Sequence, residues 1–417
     1  YTSTWYGIYL SVGQTVPTSV QNNTVANLSF TSTGALSFNG IYIGAGMANI
    51  GTVTGNTIGH TTTSNSITAA GTGDMRGIYS ASADPVQVKN NLVANISIIP
   101  AAATNGTRGI EVNGSTGSVT IANNQVSNIS TTSNSVSSPP TTTSALYGIM
   151  LLSSSAGHLI ENNMISGLTS TPATASNTVI AGMIIGNGAG LVRANQINTL
   201  ANNSSSQAPQ ITGLWISSGG WTVANNMIAI GSSMAGNDSI AGIRDAGGAA
   251  STYAYNAVVI SGSSGSGSNN SYAFRRSNTA SPTLRNNILL NERTGGSGFH
   301  YAIGTLLLPG APWISSASDY NLLVSGDPGR IGEWGTRVAD PCCLSVWKTS
   351  SSGDTYSLAE LASALSSTAL FSSPSTGDLH VSTGVNSWYA NGNGIALSSV
   401  TTDYDGDSRS ASIAGGA

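Results

Sequence analysis

The sequence predicts an all-β chain wound into a parallel β-helix, a solenoid of about ten coils with a C-terminal cap containing a short helix. Three observations lead there. An Asn recurs at intervals from 30 residues (Asn226 to Asn256) to 39 (Asn124 to Asn163). Aliphatic residues stand at fixed offsets from each Asn. The apolar runs are short, rich in β-branched residues and bounded by Gly, Asn or Ser, which is a strand pattern and not a helical one.

The Asn column reads Asn23, Asn56, Asn91, Asn124, Asn163, Asn195, Asn226, Asn256, Asn287 and Asn321. Three places before it stand Val20, Val53, Val88, Ile121, Ile160, Val192, Val223, Tyr253 and Leu284. Two places after it stand Val25, Ile58, Val93, Val126, Ile165, Ile197, Ile228, Val258, Leu289 and Leu323. A third column follows a Gly: Ile8, Ile41, Ile78, Ile110, Ile149, Met183, Leu214 and Ile243. Three short strands per coil, stacked about 4.8 Å apart, turn each column into an interior ladder. Asn suits a corner because it tolerates left-handed backbone, and stacked amides can bond from coil to coil. The Asn are therefore expected to be structural.

Composition narrows the function. Of 417 residues only 7% are charged, 51 are Gly, and the net charge is −4. A basic stripe for phosphates is absent, which argues against nucleic acid as a partner. The apolar runs are too short for a membrane span. Cys342 and Cys343 are adjacent and read either as a vicinal disulfide or as free thiols. The four histidines are scattered, and no metal or cofactor is expected. Low charge with an uncharged polar surface points to a secreted or cell-surface protein, and the missing initiator Met makes Tyr1 read as a processed or trimmed start.

Residues 1–325 carry the repeats and 326–417 are expected to cap and close the fold. The longest insertion, residues 131–143, reads either as a binding loop or as a tolerated one. Leu358, Leu361 and Leu365 have helical spacing after a candidate N-cap, Ser357. Leu370-Phe371 and residues 378–381 are expected to add late strands to the stack.

The order of Ser345-Val346-Trp347, Gly377-Asp378-Leu379-His380-Val381, Asp403-Tyr404-Asp405-Gly406-Asp407-Ser408-Arg409 and Ile413-Ala414-Gly415 resembles the closing segment of a known group. That group is the secreted right-handed parallel β-helix repeat proteins of Bacteroidetes-type bacteria. The resemblance implies a right-handed helix, secretion, and further domains that often include a type IX sorting signal. Here the ending reads Ile-Ala-Gly where the group usually has Ile-Gly-Ala. It says almost nothing about activity.

Strand alternation places the residue after each Ile outward. That column reads Tyr9, Tyr42, Tyr79, Glu111, Met150, Ile184, Trp215, Arg244 and Arg275. Tyr9, Tyr42, Tyr79, Trp215 and Arg244 are the candidate ligand-binding residues, since aromatic faces stack on sugar rings and Trp215 beside Arg244 suits a cation–π pair. Covering by loops or a neighbouring domain is the competing reading. A glycoside hydrolase needs two carboxylates about 5–5.5 or 6.5–9.5 Å apart, and no column supplies such a pair. Asp74, Arg76, Arg108 and Glu111 form the nearest charged cluster, expected to be a surface ion-pair network. Asp245 and Arg276 share an inward column, which predicts a buried salt bridge. Asp403, Asp405 and Asp407 lack the Gly and Glu spacing of a calcium loop and read as closure. The chain thus reads as a structural or adhesive module, with glycans or neighbouring domains as partners. The alternative is a polysaccharide lyase or glycoside hydrolase with its site at Asp74, Arg76, Arg108 and Glu111.

Overall fold

The computed structural model describes residues 3–99, 106–114, 116–134, 146–172, 178–203, 210–232, 234, 236–265, 267–305, 317–327, 330–335 and 344–410. Cys342, Cys343, the ending Ile413-Ala414-Gly415 and positions 135–143 of the long insertion lie outside the described residues. The chain is an all-β solenoid of about ten turns built from parallel sheets. It divides into two compact units, residues 1–190 with 200–211, and residues 191–199 with 212–417.

In the first unit each coil contributes a strand to each of three faces. The first face holds Thr4–Ser11, Ser37–Ala45, Met75–Ser80, Thr107–Asn113, Leu146–Leu152 and Val179–Gly186. The second holds Thr18–Val20, Ala48–Ile50, Val86–Lys89, Val119–Ala122 and His158–Glu161. The third holds Thr24–Val25, Thr57–Gly59, Leu92–Ile98, Gln125–Thr131 and Met164–Ser170. Aliphatic columns fill the interior: Ile41, Ile78, Ile110 and Ile149 have no exposed surface, nor do Ile58, Val93, Val126 and Ile165. Each such side chain contributes roughly 1.5–3 kcal/mol by leaving water.

The second-face register corrects one column. Val53 is 85% exposed, and Ile50 is the residue aligned with Val20 and Val88. The segment 51–55 turns outward after Ile50, so the aliphatic falls six places before Asn56 there. The Gly of the Gly-Ile step has a steric cause. A Cβ on Gly77 would sit 2.4 Å from a Val93 methyl and 2.6 Å from the Gly109 carbonyl oxygen. The interior valine and the carbonyl of the next coil leave no room there for a side chain.

The Asn column forms the expected ladder, and the corner chemistry is divided between two residues. The left-handed conformation belongs to the residue before the ladder Asn: Asn22 (φ 54°), Asn90 (58°), Asn123 (57°), Asn162 (54°), Asn225 (56°) and Asn286 (57°). This corrects the expectation that the ladder Asn itself makes the turn. The ladder Asn points inward. Asn124 donates its Nδ2 to Asn163 Oδ1 at 2.9 Å and its backbone N–H to the same oxygen at 3.0 Å. The same two bonds run from Asn56 to Asn91 and from Asn91 to Asn124. In the second unit they run from Asn195 to Asn226, Asn256, Asn287 and Asn321.

The second unit repeats the three faces. Ser239–Asp245, Ser271–Arg276, His300–Thr305 and Gly332–Trp334 lie on the first. Gly220–Ala224, Thr252–Ala254, Thr283–Arg285 and Ser318–Asp319 form the second. Gln196–Asn198, Met227–Ile230, Ala257–Ile260, Ile288–Asn291, Leu322–Ser325 and Leu358–Leu361 form the third. Leu358–Leu361 is therefore a strand where the spacing suggests a helix. It finds a ready edge in Leu322–Ser325, and pairing there outweighs a short helix's weak intrinsic stability. Ser357 caps the ladder: its Oγ accepts the Asn321 N–H at 2.8 Å. The buried Asp354 takes the last ladder amide, Asn321 Nδ2, at 3.1 Å, and the Trp347 indole N–H at 2.7 Å.

The helix of the cap is Leu344–Ser351, which buries Trp347 edge-on against Trp334 with centroids 5.8 Å apart. The remaining tail runs back along the unit's third face. Leu365, Leu370, Phe371 and Leu379 pack on Met227, Val259, Leu290 and Val324. Phe371–Ser373 and Asp378–Val381 form an antiparallel pair, not further rungs of the stack as expected.

Replacing Asn163 by Leu should strand both the backbone and the side-chain donor of Asn124, at about 1–3 kcal/mol for each group left unpaired. Asn162→Gly next to it should be close to neutral, because Gly accepts the left-handed corner without steric cost and Asn162 gives up only a small entropic advantage. Urea midpoints of the two variants check this, and equal losses would contradict the division of labour.

Candidate functional site

The outward column is the site the sequence singled out, and the structure splits it. In the first unit Tyr9, Tyr42 and Tyr79 share one register column on the first face. Their ring centroids are 5.3 and 5.2 Å apart, and Tyr6 joins them 5.1 Å from Tyr9 and 5.2 Å from Tyr42. Tyr9 is 55% and Tyr6 37% exposed, while Tyr42 and Tyr79 are half-buried. Burial raises the Tyr42 hydroxyl, helped by Tyr6 and Tyr9, and burial with Glu111 raises that of Tyr79. The Arg76 guanidinium lies 4.5 Å over the Tyr79 ring. Interior rings spend their faces on one another, and the open aromatic surface is at Tyr6 and Tyr9.

Beyond Tyr79 the outward expectation fails. Glu111, Met150 and Ile184 have no exposed surface. Alternation says which side of the sheet a residue faces, but not whether other chain covers that side. In the second unit Trp215 is likewise buried, at 2% exposure, with the Arg244 guanidinium 3.8 Å over its ring. The expected cation–π pair forms as packing. Burial, then repulsion from Arg275 one coil on, pulls the Arg244 pKa down to about 10.

The cluster proposed for the enzyme reading does assemble. Arg76 Nε lies 2.5 Å from Glu111 Oε2 and its Nη2 lies 2.7 Å from Asp74 Oδ2. Arg108 Nη1 is 3.3 Å from Asp74 and 3.4 Å from Glu111. It is not the surface network expected: the Arg108 and Glu111 side chains are wholly buried. Burial pulls the Arg76 pKa down, but Glu111 and Asp74 together more than offset it, leaving it raised. Two guanidiniums and two carboxylates neutralise one another, and each carboxylate is held by both arginines. Such a group ties adjacent coils together, and breaking a buried pair on one side costs roughly 3–5 kcal/mol.

Asp245 and Arg276 are in register and both wholly buried, but the expected salt bridge between them is not among the ion pairs of the described residues, and Arg276 acts on Asp245 only through its charge. The bonds to Asp245 Oδ1 come from the Gly247 N–H (3.1 Å) and Asn278 Nδ2 (2.7 Å). Burial pushes the Asp245 carboxyl up to about 6, against the opposing pull of the Gly247 N–H, Arg276 and Asn278. Burial also lowers the Arg276 pKa, which Asp245 partly restores. Desolvation thus outweighs attraction within this pair.

Sequence reasoning missed one convergence. His380, read as scattered, stands between two carboxylates, with Nδ1 2.5 Å from Asp378 and Nε2 3.0 Å from Asp405. Burial lowers its pKa, but the two aspartates raise it further, so the net shift is upward. The motif residues explain the loop. Asp403 Oδ1 accepts the N–H groups of Asp405 (3.1 Å) and Asp407 (2.9 Å). Arg409 clamps the loop to the solenoid, bonding Asn225 Oδ1 at 2.9 Å and lying 3.8 Å over the Tyr255 ring. The Asp-x-Asp spacing was the visible signal, but His380 lies 23 residues away from Asp403 in sequence.

No family model, curated protein or solved structure matches this chain. Among the described residues no helix is long and apolar enough to cross a membrane.

A carboxyl whose folded pKa (about 6) exceeds its unfolded value (3.8) stabilises fully only at acid pH. That contribution is lost as pH rises through the folded value. Asp245→Asn keeps an acceptor for Gly247 and removes the charge. It should therefore gain stability over the parent by roughly 3 kcal/mol between about pH 4 and pH 8. Thermal melts across that range test it; a pH-independent difference would show that the carboxyl titrates normally.

Proposed function

We propose that this chain is a non-catalytic β-helix module, displayed outside the cell, that binds glycan along the tyrosine column of its first unit. The supporting observation is the run Tyr79, Tyr42, Tyr9 and Tyr6, which ends in two exposed rings on a parallel sheet. Sugar rings present a C–H face that stacks on such aromatics, while phenol hydroxyls along the row accept and donate to sugar hydroxyls. The sparse charge of the chain agrees with an uncharged ligand. Display outside the cell rests on the polar, low-charge composition and on the closing motif's resemblance to secreted β-helix proteins.

The enzyme reading is weaker because Asp74 and Glu111 are both committed to Arg76 and Arg108, with Glu111 wholly buried. A general acid must reach the glycosidic oxygen, which a covered carboxylate does not.

Screening a panel of neutral and acidic polysaccharides for both binding and product formation tests the proposal. The expected result is binding without turnover, weakened about tenfold or more in the Tyr6→Ala/Tyr9→Ala double variant, a loss of about 1.4 kcal/mol. Binding that ignores both substitutions would remove the column from the function. Turnover abolished by Glu111→Gln would replace the module with an enzyme.

A further inference from the structure

The second unit holds a cleft of about 580 Å³ that the tyrosine column does not touch. It opens where the tail, running back along the third face, stands off from the solenoid. Its apolar lining includes Met227, Ala257, Ile288 and Leu379. Ala257 and Ile288 are only partly buried, so the cleft leaves aliphatic surface open to solvent. Polar groups also line it: Ser387 and Asn391 come from one part of the tail, Tyr404 and Asp405 from the Asp403 loop.

The polar side is fixed in place before any ligand arrives. Asp378 and Asp405 hold His380 between them, and the Tyr404 ring meets the imidazole edge-on at 5.3 Å and 86°. The loop that carries Tyr404 and Asp405 is anchored at its base, where Asn225 Nδ2 donates to the Thr402 carbonyl at 2.8 Å. The opposite part is anchored through Asn286, whose amide exchanges two hydrogen bonds with the Ile395 backbone at 2.7 and 2.9 Å. Trp388, 71% exposed, lies in the turn Val385–Tyr389 beside Ser387, which lines the cleft. A rigid concavity with an aliphatic lining and a hydroxyl, amide and carboxylate rim is built for a molecule with one apolar face and one hydroxylated edge. A pyranose has that shape, and the volume lies within the usual range of small-ligand sites, about 300–1,000 Å³.

Charge narrows the class. With His380 protonated, the charged residues that line the cleft, His380, Asp403, Asp405 and Arg409, sum to no net charge, so the cleft offers an anion no excess of positive charge. The Arg409 guanidinium is part of the cleft wall, where it is already engaged by Asn225 Oδ1 and the Tyr255 ring. An acidic sugar would meet Asp405 and Asp403 with a like charge, whereas a neutral sugar gives the Asp405 carboxylate a hydroxyl donor, a charge-assisted bond. We infer that this cleft is a second, independent binding site that takes a neutral mono- or disaccharide, seating its C–H face on Ala257, Ile288 and Leu379 and its hydroxyls toward Tyr404 and Asp405.

The test uses the full chain with glucose, galactose, mannose, N-acetylglucosamine and their β-linked disaccharides as probes. Glucuronic acid serves as the charged control, and binding is read by saturation-transfer NMR and calorimetry. At least one neutral sugar should bind, and glucuronic acid should bind at least tenfold more weakly. Asp405→Asn should weaken binding about tenfold. Asn391→Trp, at an exposed position on the rim, should abolish it by filling the mouth, with thermal melts of both variants confirming that the tail stays docked. Tyr6→Ala/Tyr9→Ala should leave cleft binding unchanged, which separates this site from the column. Three results would overturn the inference: no neutral sugar bound by the parent, binding indifferent to both cleft substitutions, or preference for glucuronic acid.

Discussion

A stacked asparagine amide is the interaction on which this structure depends. Each coil must turn its backbone through a corner whose N–H faces the interior, where water cannot satisfy it. The Asn of the next coil accepts that N–H and the side-chain amide above it with a single oxygen, as Asn163 does for Asn124. Leaving such a buried donor unpaired costs about 1–3 kcal/mol, so the ladder position is fixed in identity while the aliphatic columns vary among Val, Ile, Leu and Tyr. The same bonds set coil register, since a slip of one residue would break every rung and turn each Ile outward. At the far end Asp354 and Ser357 take over the role of the next Asn.

Much of this was legible in sequence because the ladder and the aliphatic columns are periodic. The failures have physical causes. Val53 keeps the spacing from Asn56 but not the burial, because residues 51–55 turn outward and Ile50 fills the interior instead. The segment after Ser357 has helical spacing, yet an open strand edge at Leu322–Ser325 decides its conformation. Glu111, Met150 and Ile184 sit in the outward column and are covered all the same, since spacing carries no information about what lies over a sheet. The Asp378, His380 and Asp405 bridge was out of reach for a different reason: the tail's path along the third face has no repeat to announce it.

Several of the few charges are buried in the neutral scaffold, and their arrangement follows from that. Arg76 and Arg108 meet two carboxylates and form a balanced buried set. Arg244 and Arg275 lie over the rings of Trp215 and Tyr272, which turn a negative face to each guanidinium. Asp245 is the exception, with its carboxyl pushed up by burial in spite of Arg276. Ligand contacts are thereby left to tyrosines, amides and the tail, whose course also creates the concave surface that flat sheets lack.

Hydrogen exchange at the asparagine side-chain amides, resolved by NMR, tests the central role of the ladder most directly. Asn123 and Asn162 are exposed corner residues, and Asn124 and Asn163 are their buried ladder neighbours. Exchange of the Asn124 and Asn163 amides should fall in the slowest class, protected like the core strands, while Asn123 and Asn162 exchange at rates near those of open chain. Equal exchange within each pair would contradict the ladder as the interaction that holds the coils in register.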